Sequence, residues 1–183
     1  MRGDVEDVLK EYKGLWAGQL GKVDVTSHRI EETLGARPWR SQPYRESHSL
    51  REGIAKKVQR QRDLGVIQPW SAEWAFPVVL VPKTDGTMRF CVNYRQPNAV
   101  TVRDVYPLPR MDDCIDFLGD AKVFCTLECN SAYWQILVAE EDRDKTILVW
   151  PVRAYRYISL SFGPSNVQEI FQLAIGKILG GLK

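Results

Sequence analysis

The run Val78-Val79-Leu80-Val81-Pro82-Lys83-Thr84-Asp85-Gly86-Thr87-Met88-Arg89-Phe90-Cys91-Val92-Asn93-Tyr94-Arg95 constrains this chain more than any other stretch. It opens with β-branched apolar residues, turns at Asp85-Gly86 and returns with apolar and polar positions alternating, which is the pattern of a β-hairpin. The cations Lys83, Arg89 and Arg95 are expected to lie close together on it. Guanidinium and ammonium groups beside a cleft pair with phosphate oxygens, so one reading is a surface for a triphosphate or a nucleic-acid backbone. The other is a solvated face, which three cations on an exposed hairpin form more often.

A length of 183 residues is enough for one domain of ordinary size with a real core. A hydrophobic fraction of 44% and a charged fraction of 26% place the chain with soluble globular proteins. The formal net charge is only +2, so any nucleic-acid affinity has to come from local clustering. No apolar run approaches the roughly 20 residues of a membrane span, and Met1-Arg2-Gly3-Asp4 lacks the apolar core of a signal peptide; an intracellular location is expected. Cys91, Cys114, Cys125 and Cys129 show no Cys-x-x-Cys spacing, and His28 and His48 lie far upstream. This argues against structural zinc and a disulfide framework, and predicts buried reduced thiols.

Val5, Val8, Leu9, Tyr12, Leu15 and Trp16 recur at spacings of three and four, which predicts a short amphipathic helix within residues 1–21, packed loosely on its neighbour. Asp24 to Tyr44, with Gly35, Pro38 and Pro43, reads as an extended connector with short edge strands at Val23-Asp24-Val25 and His28-Arg29-Ile30. Ser47 to Leu64 is a basic amphipathic helix, with Leu50, Ile54, Val58 and Leu64 on one face, Lys56, Lys57, Arg60 and Arg62 on others, and Gly65 as its stop. Glu46, Glu52 and Asp63 dilute that charge, so the first reading is a solvated helix packed on one side and the second a surface leaning on phosphates.

Pro107 and Pro109 make Asn98 to Arg110 an extended crossing segment. Met111, Cys114, Ile115 and Leu118 mark a short helix closed by Gly119, whose acids Asp112, Asp113 and Asp116 read as dipole-compensating charges rather than metal ligands. Val123–Cys129, Tyr133–Val138, Thr146–Trp150 and Tyr155–Leu160 are expected strands, the middle two separated by a charged turn over 139–145. Val167, Ile170, Phe171, Ala174, Ile175, Ile178 and Leu179 predict a last helix running to Gly180-Gly181. The order is that of an α+β fold with a mostly antiparallel sheet and packed helices.

Several runs, in this order, resemble the fingers and early palm of a reverse transcriptase, in particular that of the gypsy-type LTR retrotransposons. They are Gly65-Val66-Ile67-Gln68-Pro69, Glu73-Trp74-Ala75-Phe76-Pro77-Val78-Val79-Leu80-Val81, Lys83-Thr84-Asp85-Gly86, Arg89-Phe90-Cys91-Val92-Asn93-Tyr94-Arg95 and Tyr106-Pro107-Leu108-Pro109-Arg110. The resemblance runs from about His28 to the C-terminus. It implies fingers and the first half of a palm over residues 46–183, approached by an N-terminal helix and connector over residues 1–45. In the family that connector leads in from a protease, whose Asp-Thr/Ser-Gly signature is not present here. The activity implied is RNA-directed DNA polymerisation through two Mg2+ or Mn2+ ions on neighbouring carboxylates. The partners implied are an RNA/DNA template-primer and deoxynucleoside triphosphates.

At the position of the family's first catalytic Asp, in Phe124-Cys125-Thr126-Leu127-Glu128-Cys129, this chain has Glu128. One extra methylene displaces the carboxylate, and a misplacement of about 1 Å costs on the order of a hundredfold. The Tyr-x-Asp-Asp motif expected after the last helix is not reached by Lys183, so the expectation is a truncated, degenerate copy without activity of its own. Asn93 stands for the Asp of Val-Asp-Tyr-Arg, and Gln168 and Glu169 for the Pro-Ala of Asn-Ala-Pro-Ala-Thr-Phe-Gln, while Asn166, Phe171 and Gln172 remain.

The resemblance makes Lys83 and Arg89 the cations that hold the triphosphate and Tyr133 the aromatic that excludes a ribose 2′-hydroxyl. It makes Arg95, Phe162, Gly163 and Gln172 template-side or structural supports. On residues alone, Tyr133 reads as a core aromatic, and Lys83 and Arg89 as ordinary hairpin cations. Two further readings stand beside it: a domesticated, non-catalytic module that binds nucleic acid or protein, and an incomplete gene model of a fuller polymerase. Nucleic-acid affinity is expected to be weak and non-specific, with no membrane partner; the oligomeric state stays open.

Overall fold

A computed structural model describes residues 2–151 and 153–180. The hairpin forms as its sequence dictates, but it belongs to a larger sheet. In chain order the elements are α1 (Arg2–Glu11), β1 (Val23–His28), α2 (His48–Asp63), β2 (Ile67–Pro69), β3 (Phe76–Pro82), β4 (Met88–Val92), α3 (Arg95–Val100), α4 (Met111–Leu118), β5 (Ile136–Val138), β6 (Leu148–Trp150), β7 (Arg153–Tyr157) and α5 (Val167–Leu179). The main sheet runs β2-β7-β6-β3-β4, antiparallel at every junction except β3 with β6. A second ribbon pairs β1 with β5 in parallel. The architecture is the α+β arrangement read from the sequence.

Local chemistry explains the first part of the sheet. In the β3–β4 turn the Lys83 N–H donates to the Thr87 carbonyl at 2.8 Å, and Gly86 adopts φ +78°. Asp85 Oδ1 accepts from the Thr87 hydroxyl at 2.6 Å and from the Thr87 N–H at 2.8 Å. These bonds hold the Asp85 carboxyl below its ordinary pKa. Ser47 caps α2 by accepting from the Leu50 N–H, and Gly65 ends it at φ +68°. Between these ends α2 lays Ile54 and Val58 into a core with Phe76, Val78, Tyr94, Leu148 and Tyr157. Tyr94 packs edge-on against Phe76 and donates its hydroxyl to the Thr146 carbonyl at 2.9 Å. Burial raises the Tyr94 phenol pKa far above its ordinary value.

The connector is fastened to the body along most of its length. Arg40 bridges Ala75, Glu32 bridges Thr101, and β1 lies beside β5. The Ile30 N–H donates to Asp142 Oδ2 at 2.9 Å, and Lys145 Nζ donates to the Ile30 carbonyl at 2.6 Å while pairing with Asp142 at 2.8 Å and Glu32 at 3.4 Å. His28, at the end of β1, is wholly buried with neither ring nitrogen hydrogen-bonded. Burial lowers its pKa to about 4, against the opposing pull of Asp142.

Other expectations need correction. Val123–Cys129 forms no strand and lies exposed, because no other strand runs beside it among the described residues. The cysteines are free, but only Cys91 is partly buried; Cys114, Cys125 and Cys129 sit on this exposed stretch and on α4. α1 forms and is followed by a 3-10 helix over Lys13–Trp16, yet Val5, Val8 and Leu9 on the first and Tyr12, Leu15 and Trp16 at the second are all exposed instead of packed. The two edge strands of the connector are one strand ending at His28. Asn98 to Val100 close α3 before the extended crossing begins. The charged turn over 139–145 is a 3-10 helix, Glu140–Thr146, and a second 3-10 helix, Ala132–Gln135, precedes β5. Among the described residues no helix is long and apolar enough to cross a membrane.

Candidate functional site

Between α2 and the hairpin lies a cavity of about 540 Å³. With Ile54 and Val58 turned into the core, α2 leaves Lys57 and Arg60, three residues apart and so on one face, at the rim. Lys83 enters from the turn and Arg89 from β4. No carboxylate lines the cavity, and none of these four cations forms an ion pair among the described residues. Phe90, Trp134 and Phe162 supply apolar and aromatic walls. Gln61 sits at the base, 3% exposed, with its side-chain oxygen lacking a donor. Sequence reading missed Gln61, since a polar residue at a buried helix position carries no sign of what it faces.

Phe162 is shared with an adjoining cavity of about 600 Å³ that also takes in Tyr133, Gly163, Gln168 and Glu169. The Tyr133 ring stands edge-on to Phe162, centroids 4.9 Å apart, and to Phe171 at 5.5 Å, so it both packs and lines the opening. Gly163 has φ +111°, and a Cβ there would sit 3.2 Å from the Tyr94 ring, which leaves glycine as the residue that fits. Asn98, which sequence reading passed over, latches this loop: its Nδ2 donates to the Gly163 carbonyl at 2.8 Å and its Oδ1 accepts from the Ser165 N–H at 2.9 Å. Asn166 continues the latch, with Nδ2 donating to the Val102 carbonyl and Oδ1 accepting from the Asp104 N–H. Gln172 is half-buried on α5.

Arg95 does not join Lys83 and Arg89. The chain leaves the sheet after β4 and enters α3 at Arg95, which lines a separate cavity of about 410 Å³ with Tyr44, Val79, Val81 and Cys91, the opposite face of the hairpin from Phe90. Asn93 is held by neutral bonds: its Nδ2 donates to the Tyr44 hydroxyl at 2.9 Å and its Oδ1 accepts from the Arg95 N–H at 3.3 Å. Glu128 is exposed in the irregular segment, and no group of three His, Cys, Asp or Glu residues among the described residues could hold a metal ion. The donors present therefore do not fit the two-ion centre that the resemblance implies.

No family model matches the chain. Over 190 residues it is 30% identical to the retrovirus-related Pol polyprotein from transposon 412 of Drosophila melanogaster, covering 97% of this chain and 15% of that protein. Over 134 residues it is 33% identical to the enzymatic polyprotein of cauliflower mosaic virus (strain Strasbourg), covering 71% of this chain and 20% of that one. Its homologues are retroelement polyproteins. The crystal structure of prototype foamy virus protease-reverse transcriptase superposes with a TM-score of 0.84 at 20% identity, covering 99% of this chain and 25% of that one. A foamy viral protease-reverse transcriptase solved with an RNA/DNA hybrid gives 0.79 at 17% identity, covering 98% and 25%. The fold is that of a reverse transcriptase, and this retroelement homologue spans a fifth or less of the length of the two curated relatives.

Proposed function

We propose that this retroelement homologue is the fingers and first half of the palm of a gypsy-type LTR retrotransposon reverse transcriptase, over residues 46–183, with residues 1–45 as its approach segment. In this reading Lys57, Arg60, Lys83 and Arg89 receive the phosphates of a deoxynucleoside triphosphate or of a template-primer, and Tyr133 and Phe162 meet the sugar and base. The observation that carries it is the convergence of four cations without ion pairs, from a helix, a turn and a strand, on one aromatic-walled cavity. Cations not engaged in ion pairs are placed to make charge-assisted bonds to phosphate oxygens. The foamy viral neighbour solved with an RNA/DNA hybrid supports the polymer class.

The chain by itself is proposed to bind without polymerising, because among the described residues Glu128 belongs to no group of three His, Cys, Asp or Glu residues that could hold a metal ion. A non-catalytic binding module is the second reading, favoured by the cleft lining of cations without carboxylates. Two measurements test these points. Lys83→Ala with Arg89→Ala should weaken triphosphate binding by roughly a hundredfold or more, since hydrogen bonds to charged groups are worth about 1.5–3 kcal/mol each; unchanged binding overturns the cleft assignment. Primer extension on an RNA template with magnesium or manganese should be absent for the chain and for Glu128→Asp. Joining a palm half with Tyr-x-Asp-Asp should give low activity, and the joined chain with Glu128→Asp much more, because groups acting as a unit are non-additive. Extension by the unmodified chain would sink the non-polymerising reading.

A further inference from the structure

The stretch over residues 107–129 stands off the body of the molecule. Among the described residues no hydrogen bond, ion pair or strand ladder joins it to another part of the chain. It leaves from a fixed base, where Asn130 Nδ2 donates to the Gly18 carbonyl at 3.4 Å and Gln135 Nε2 to the Asn130 carbonyl at 2.8 Å. Met111, Ile115, Phe117 and Leu118 on α4, and Val123, Phe124 and Leu127 beyond it, are each more than half exposed. An aromatic side chain accounts for about 150–250 Å² when buried. Two of these with five other apolar side chains exceed the roughly 300–600 Å² of the largest apolar patch on a typical monomer, and approach the roughly 800 Å² that each partner gives to a standard interface.

The order of residues within the stretch says what kind of neighbour it lacks. In Ala121-Lys122-Val123-Phe124-Cys125-Thr126-Leu127-Glu128-Cys129, an extended backbone puts the odd-numbered residues, apolar or thiol, on one face and Lys122, Phe124, Thr126 and Glu128 on the other. Laid antiparallel on a second copy about a twofold axis at Cys125, Val123 meets Leu127, Phe124 meets Thr126 and Lys122 meets Glu128, each pair made twice. The register is complementary in charge as well as in apolarity, and neither Lys122 nor Glu128 has an ion pair of its own among the described residues. We propose that a second copy of this chain supplies the missing strand, as an antiparallel pair over residues 121–129. α4, joined through Gly119-Asp120, brings Met111, Ile115 and Leu118, spaced four and three apart on one side, to cover the apolar face of that pair. The pair satisfies backbone groups that a lone segment leaves to water. The monomer keeps the stretch exposed, and the dimer forms as concentration rises. This interface is separate from the cleft, and no part of the cleft assignment enters it.

Sedimentation equilibrium of the whole chain across a range of concentrations should show a monomer–dimer equilibrium that stops at two copies. Glu128→Lys sets like charges opposite each other at two places and should weaken association roughly tenfold, and Lys122→Glu should do the same. Combining Glu128→Lys with Lys122→Glu restores opposite signs and should recover most of the affinity, which a merely local effect of either change would not do. Diamide, which takes up the two electrons and two protons given by two thiols, should join the copies through Cys125 of each as a disulfide. That cross-link should vanish in Cys125→Ser and persist in Cys114→Ser and Cys129→Ser. All these positions are exposed, so the variants should fold, and unchanged far-ultraviolet circular dichroism checks that they do. A chain that stays monomeric, or grows into open-ended aggregates, overturns the proposal. So does a double charge variant no better than either single change, and so does a cross-link that runs through Cys129. α1 and the 3-10 helix after it carry another exposed apolar face and leave the body beside Asn130, which makes Val8→Asp with Leu9→Asp the needed comparison. Loss of the dimer there, with the charge variants keeping it, would make α1 the occupant and overturn the proposal as well.

Discussion

The hairpin over residues 76–92 and the stretch over residues 121–130 share one strand-like pattern, apolar β-branched and aromatic residues in short runs, and differ in what lies beside them. In the first, Val78 pairs with Val92 and Leu80 with Phe90, and Phe76 and Val78 are buried. In the second, Val123, Phe124 and Leu127 are 65%, 61% and 74% exposed, without a ladder. The partner of β3 comes after a turn of five residues, Lys83 to Thr87, so closing that loop costs little. No other strand lies beside 121–130 among the described residues. α4 sharpens the point, since it forms although Met111, Ile115 and Phe117 are exposed. A helix satisfies its backbone within itself, whereas a strand needs a neighbour.

The largest effect that would break this comparison comes from matched truncations. Phe76→Ala should cost about 3–5 kcal/mol in urea denaturation, and Phe124→Ala less than about 0.5 kcal/mol. A cost above about 1 kcal/mol for Phe124→Ala would mean that the exposed stretch packs in solution.

Next in size is a pH effect on the ribbon beside the main sheet. His28 has a folded pKa near 4 against an ordinary 6.5, so between those values the unfolded chain binds the extra proton and stability falls as pH is lowered. The full difference is roughly 3 kcal/mol, already present above pH 6.5 and lost by about pH 4. Urea midpoints from pH 7.5 to 4 should show this slope in the chain and lose most of it in His28→Leu. An unchanged slope in the variant would assign the pH dependence to other groups.

Smaller effects sharpen the hairpin side. Gly65→Ala should cost about 1 kcal/mol from its φ of +68° alone, because nothing lies within 4 Å of the added methyl. Asp85→Ala should give the smallest shift in urea midpoint, through the loss of its two bonds to Thr87, and a shift exceeding that of Gly65→Ala would contradict this order.

What was legible in the sequence follows the same divide. Ser47, Gly65, Asp85-Gly86, Gly119 and the period of α5 announce their elements because a cap, a stop, a turn or a helical face is decided by residues a few positions apart. The grouping of Lys83 with Arg89 was legible for that reason, as both belong to one hairpin. Lys57 and Arg60 joining them, and Arg95 leaving them, depend on how α2 crosses the sheet and how the chain exits β4, which no local spacing records. Val123–Cys129 shows the limit most plainly, since its strand-like pattern is local but a strand forms only where a second strand lies beside it.

The fastening of the connector also sets a schedule for synthesis. Its attachments run backwards: Arg40 meets Ala75, Glu32 meets Thr101, and His28 meets Val138. Ile30 and its partner Asp142 are 112 residues apart, so at about 5–20 residues per second a ribosome makes the second roughly 6 to 20 seconds after the first. A nascent chain therefore buttons its leading end from the later positions toward the earlier ones, and His28 has no shelter from water until β5 has emerged.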